Sequence, residues 1–72
     1  MLTFEYQKDG IVNVFMDEEG RDLLLSTLNS FKKPGDHDHL MTPSWSGWEL
    51  DEERHNEANL LIHQVNIGLT RL

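Results

Sequence analysis

Apolar and polar residues alternate from the start of the chain. In residues 2–7 (LTFEYQ), Leu2, Phe4 and Tyr6 fall on one side and Thr3, Glu5 and Gln7 on the other, which is the two-residue period of a half-buried strand. Lys8-Asp9-Gly10 follows, and Asp-Gly is a strong hairpin-turn signal. Residues 11–16 (IVNVFM) are β-branched and apolar and predict a second strand, with Val12, Val14 and Met16 on one face and Ile11, Asn13 and Phe15 on the other. The period then lengthens. Asp17 reads as a helix N-cap, with Glu18 and Glu19 in the positive first turn. Leu24, Leu28 and Phe31 recur at i, i+4 and i+7, with Leu25 beside them, and predict a helix over 18–32 with one apolar stripe. Lys32 and Lys33 suit the negative end of its dipole, and Pro34-Gly35 ends it.

Beyond the helix, residues 37–42 (HDHLMT) predict a third strand that Pro43 closes. Residues 44–59 show no clean period, although Ser46 and Glu49 fit a capping box and a single helical turn fits 51–55. Residues 60–69 (LLIHQVNIGL) predict a fourth strand, with Leu61, His63, Val65, Ile67 and Leu69 on one face. The order is β-β-α-β-β. The expected fold is α+β, a four-stranded, mainly antiparallel sheet in one domain with the helix packed on one face. One helix covers only one face of such a sheet. Apolar residues on both faces of several strands therefore suggest that the second face is covered too, by a partner or by a second copy in a homodimer.

Composition changes this picture in one respect. The 72 residues hold 13 acids and 6 bases, a net charge of −7. Seven of those acids (Asp36, Asp38, Glu49, Asp51, Glu52, Glu53, Glu57) and one base (Arg54) lie in residues 36–57, which carry −6; the other 50 residues carry −1. Such a segment repels nucleic-acid phosphates and anionic membrane surfaces, and it steers a basic protein toward itself. Acids that merely keep the protein dissolved are the plainer reading. The chain has no cysteine, no signal-like start and no membrane-length apolar run, so a cytoplasmic location is expected.

Two constellations within 36–57 invite chemistry. In Asp36-His37-Asp38-His39 the two histidines share a strand face and offer a metal two imidazoles, with His63, or else His55 or Glu49, as a third ligand. The alternative is a polar strand face hydrogen-bonded to neighbouring acids. A His beside a carboxylate also suits a general base. No nucleophile elbow, cysteine or Gly-rich phosphate cradle completes such a site, so neither an enzyme nor a cofactor is expected. The second constellation is Trp45 and Trp48, in a loop rich in Pro, Gly and Ser and followed by Glu49, Asp51, Glu52 and Glu53. Tryptophans supply large contact area at small entropic cost, and an acidic rim suits a basic partner. One of the two is expected to close the core and the other to be at least partly exposed.

The stretch Gly35-Asp36-His37-Asp38-His39-Leu40-Met41-Thr42-Pro43-Ser44-Trp45-Ser46-Gly47, then Glu49-Leu50 and Leu61-Ile62-His63-Gln64-Val65-Asn66-Ile67, resembles the immunity protein 32 family of bacterial polymorphic toxin systems. The likeness covers about residues 35–69. It implies a small cytoplasmic antidote that binds a cognate toxin, and it carries no residue roles with it. Joined to the charge pattern, it makes residues 37–57 the expected contact surface for a basic toxin domain. Trp45 and Trp48 would be anchors, Glu49, Asp51, Glu52 and Glu53 would steer, and His37 and His39 would hydrogen-bond across the interface. The competing readings are a metal-binding or dimeric domain centred on His37, His39 and His63, and a structural module of a larger assembly.

Overall fold

The computed structural model describes residues 1–71. Strand β1 (Leu2–Gln7) turns through Lys8-Asp9-Gly10 into β2 (Ile11–Met16), and both Asp9 and Gly10 take positive φ, as an Asp-Gly hairpin turn requires. The strands pair antiparallel, Leu2 opposite Met16 and Gln7 opposite Ile11. Leu2 and Phe4 direct their backbone groups away from β2: the Leu2 carbonyl accepts from Asp51 N at 3.0 Å and the Phe4 carbonyl from Ile62 N at 2.9 Å. The alternation of an antiparallel ladder then assigns the β2 hydrogen bonds to Thr3, Glu5 and Gln7, and on β2 to Phe15, Asn13 and Ile11.

Helix α1 (Glu18–Ser30) starts at Asp17, whose side chain accepts from Gly20 N at 2.9 Å. It is shorter than the expected 18–32. Phe31 takes extended backbone and caps it, and Lys32 reaches the helix end only through its Nζ, which donates to the Asn29 carbonyl at 2.9 Å. The apolar stripe is also rotated. Leu23 and Leu24 pack on the core, whereas Leu25 and Leu28 are exposed. Gly20 and Thr27 are the positions that bury.

The remaining strands depart from a single four-stranded sheet. β3 (His37–Met41) pairs antiparallel with β5 (Gln64–Gly68), and β4 (Leu60–Leu61) instead joins β1, so a three-stranded sheet β2-β1-β4 lies beside a two-stranded sheet β3-β5. The expected strand over 60–69 breaks at Ile62–His63 because neighbouring residues serve different sheets: Ile62 N donates to Phe4 O on β1, while His63 O accepts from Thr42 N just past β3. Between the sheets lies a small core of Leu2, Leu40 and Leu50, with Phe4, Leu23, Leu24, Val65 and Ile67 packed against it.

The second face of β1 is neither bare nor left for a partner. Thr3 and Glu5 point there and are fully buried, beneath the chain's own segment 51–59. The Glu5 carboxylate accepts hydrogen bonds from Thr3 Oγ1 (2.6 Å), His55 N (2.7 Å), Asn56 N (3.1 Å) and Asn59 Nδ2 (3.2 Å). Phe15 of β2 meets the His55 ring on the same side at 4.3 Å between centroids. Desolvation pushes the Glu5 carboxyl upward, but these hydrogen bonds outweigh it and bring its pKa down to about 2. Glu5, read from the alternation as one of the polar side of a half-buried strand, is the peg on which an irregular segment hangs.

Candidate tryptophan loop

After β3, Thr42 becomes a hub. Its carbonyl accepts from Trp45 N and Gly47 N, both at 2.9 Å, closing a 3₁₀ turn over Pro43–Trp45. Ser46 then takes the left-handed conformation, φ 69°, so it ends this turn and does not start a helix as the capping box expected. Gly47 lies so close to Met41 that a Cβ would overlap the Met41 carbonyl oxygen. The bend between the two tryptophans is therefore built against the β3 backbone, and only glycine fits its apex.

Both tryptophans are exposed, Trp45 at 53% and Trp48 at 74%. The expected buried one is supplied by no tryptophan: Leu50, immediately after the loop, fills the core instead. Trp45 stacks on the His63 ring, nearly parallel, with centroids 5.6 Å apart. Trp48 lies at the other side of the loop and walls a groove of about 430 Å³ with Leu23 and Gly20 of α1, and with Glu19, Glu49 and Asp51.

The acids around this loop are fixed in place by backbone N–H groups. Glu49 accepts from Met41 N and Trp48 N. Glu52 accepts from Ser44 N. Asp51 accepts from Leu2 N at 2.8 Å. Burial works against ionisation of Glu49, yet those amides keep its carboxyl below the usual range; the Ser44 hydroxyl and amide do the same for Glu52. Both stay ionised at neutral pH, so they hold the loop and contribute its negative field together. The segment's one base, Arg54, is turned to the Asn59 carbonyl at 2.9 Å. Glu53 and Glu57 are exposed and, among the described residues, make no hydrogen bond or ion pair.

The histidines divide. His37 and His39 lie on the outer face of β3, with rings 5.2 Å apart and edge to face. His37 Nδ1 donates to Gly35 O at 2.9 Å, and His39 Nδ1 bonds Asn66 Oδ1. His63 is elsewhere, with its Nδ1 2.8 Å from Thr42 Oγ1 and 3.3 Å from Ser44 Oγ. The expected third imidazole thus does not join the first two. Among the described residues no three His, Asp or Glu side chains are grouped to hold a metal ion. Glu52 approaches the same His63 nitrogen at 4.0 Å. A nucleophile relay needs hydroxyl and carboxylate on opposite ring nitrogens, and here both sit on Nδ1. His37 is also separated from the loop by the strand, about 13 Å from Met41 at 3.3 Å per residue. The structure therefore sets Trp48, Glu49 and Asp51 along one groove, puts Trp45 and Glu52 about His63 with Glu53 next in the chain, and leaves His37 and His39 together on β3.

Comparisons with family models, with curated proteins and with solved structures give no match to this chain. No helix among the described residues is long and apolar enough to cross a membrane.

Proposed function

We propose that this protein binds a basic protein partner through the tryptophan loop, and that it acts as a cytoplasmic antidote to a bacterial toxin. The observation that carries the reading is the pair of exposed indoles on a loop bonded at both ends to its scaffold, among carboxylates held ionised. An exposed Trp is costly to leave in water, and a pre-ordered one loses little entropy on binding. The acids add steering toward a positive surface. The toxin assignment rests on the resemblance of residues 35–69 to the immunity protein 32 family.

The variants that test this follow from which acids are free. Reversing Asp51 or Glu52 removes acceptors from backbone amides and so perturbs the fold. Glu53→Lys with Glu57→Lys leaves the internal hydrogen bonds intact. Against a toxin domain encoded beside its gene, that double reversal slows association several-fold and flattens its salt dependence, while Trp48→Ala speeds dissociation at least tenfold. Unchanged rates with both variants, in protein that rescues toxin-expressing cells as well as wild type does, would remove the tryptophan loop as the contact surface.

A further inference from the structure

The two sheets treat their outer edges differently. On β3 two of the three outward backbone amides are occupied: His39 N donates to Asp38 Oδ1 and Met41 N to Glu49 Oε1, while the Met41 carbonyl accepts from Leu50 N. On β2 the bonds to β1 use Ile11, Asn13 and Phe15, which leaves Val12, Val14 and Met16 with outward N–H and C=O groups. Among the described residues these have no partner. Nothing along Ile11–Met16 blunts the edge: it holds no charge, no proline and no glycine, the devices that usually prevent edge pairing.

From this we infer that β2 is an interface with a second copy of this chain, formed by antiparallel pairing of two β2 edges about a two-fold axis at Val14. The register follows from the outward residues. Val14 faces its own counterpart and Val12 faces Met16 of the other copy, so every free backbone group meets one and every outward side chain meets an apolar one. Asp17 and Glu18 fall opposite Ile11 and Gly10, so no carboxylate meets a carboxylate across the paired span despite the acidity of the chain. The result is a continuous six-stranded sheet. Ile11, Val12, Val14 and Met16 are 39–49% exposed. They leave on the order of 300 Å² of apolar surface open per copy, and two copies with their edge backbones approach the roughly 1,000 Å² of a specific interface. The tryptophan loop lies off this edge, so the dimer does not depend on the partner-binding reading.

Sedimentation equilibrium up to about 300 μM, where an interface this small is populated, tests the inference. The apparent mass of the wild type rises from 8.4 kDa toward twice that value. Val14→Lys sets two like charges on the axis and stays monomeric with an unchanged circular dichroism spectrum. Because the chain has no cysteine, Val14→Cys supplies a second reading that does not depend on that variant folding. The Cα separation of a hydrogen-bonded antiparallel pair, about 5.5 Å, suits a disulfide, so V14C cross-links rapidly on oxidation, and Leu60→Cys on the opposite side of the sheet does not. A wild type that remains at monomer mass throughout overturns the dimer. Equal cross-linking of V14C and L60C overturns the interface.

Discussion

Replacing Glu5 with Gln probes how an uncovered, irregular segment is held to a small sheet. The carboxylate accepts two donors on each oxygen: Thr3 Oγ1 and His55 N on Oε2, Asn56 N and Asn59 Nδ2 on Oε1. In the glutamine one oxygen becomes an NH₂ that confronts two donors. A buried donor stripped of its acceptor costs about 1–3 kcal/mol, so with two such donors E5Q loses about 2–6 kcal/mol. A domain of this length has roughly 4–11 kcal/mol in total, so the variant sits near its limit and melts at least about 10 °C lower. Far-UV circular dichroism in urea measures the loss; tryptophan emission is a poor reporter, since both indoles are already exposed. Amide exchange at His55 and Asn56 localises it. The acid dependence supplies an internal control. The Glu5 carboxyl is lowered from 4.5 to about 2, so its contribution is complete above pH 4.5 and disappears as pH falls through about 2. Wild type therefore loses up to about 1.4 kcal/mol per pH unit over that window from this group alone. E5Q lacks that slope, and the two stabilities converge toward pH 2. A gap of under about 1 kcal/mol at pH 7, or one that stays constant down to pH 2.5, refutes the reasoning.

Other perturbations separate scaffold from surface. Gly47→Ala drives a methyl into the Met41 carbonyl and costs about 1–3 kcal/mol, read as a lower urea midpoint with unchanged m. Leu40→Ala empties a fully buried core position and costs about 2–5 kcal/mol in the same assay. Trp48→Ala, at 74% exposure, leaves the midpoint within about 0.5 kcal/mol while abolishing tight partner binding; a large loss of stability instead would assign Trp48 to the fold.

The first hairpin and the start of the helix were legible in the sequence because their signals are local. Strict alternation, Asp-Gly and an Asp N-cap each act over a few residues, and each is found where the pattern puts it. In the second half the third strand was legible too, found at His37–Met41 and closed by Pro43, but the cover over β1 and the split of 60–69 between two sheets were not, because the bonds that set them are not local. Glu5 is some fifty residues from the amides it accepts, and nothing in an alternating strand separates a polar residue facing water from one facing a covering loop. The helix stripe went astray for a related reason. A stripe of leucines at helical spacing marks an apolar face, but the core is reached through Leu23 and Leu24, and the close approach at Gly20 sets that rotation. The location of the acidic tryptophan segment was readable from composition. That its acids are bonded to backbone amides, and that both indoles face outward, was not.

Those bonds alter what the acidity means. Free surface carboxylates on flexible stems give a diffuse field that salt screens readily, and each would have to be ordered when a partner arrives. Glu49, Asp51 and Glu52 are ordered beforehand, because Met41, Trp48, Leu2 and Ser44 use them as caps for amides that no strand satisfies. An irregular loop needs acceptors for its backbone donors, and acidic side chains provide them while keeping their charge. The need to hold a loop without regular structure and the need to present fixed negative charge beside two indoles are met by the same side chains. It follows that acid should loosen the loop and weaken its field together, with protonation of Glu49 and Glu52, both held below the usual carboxyl range by their bonds to the loop, as the common cause.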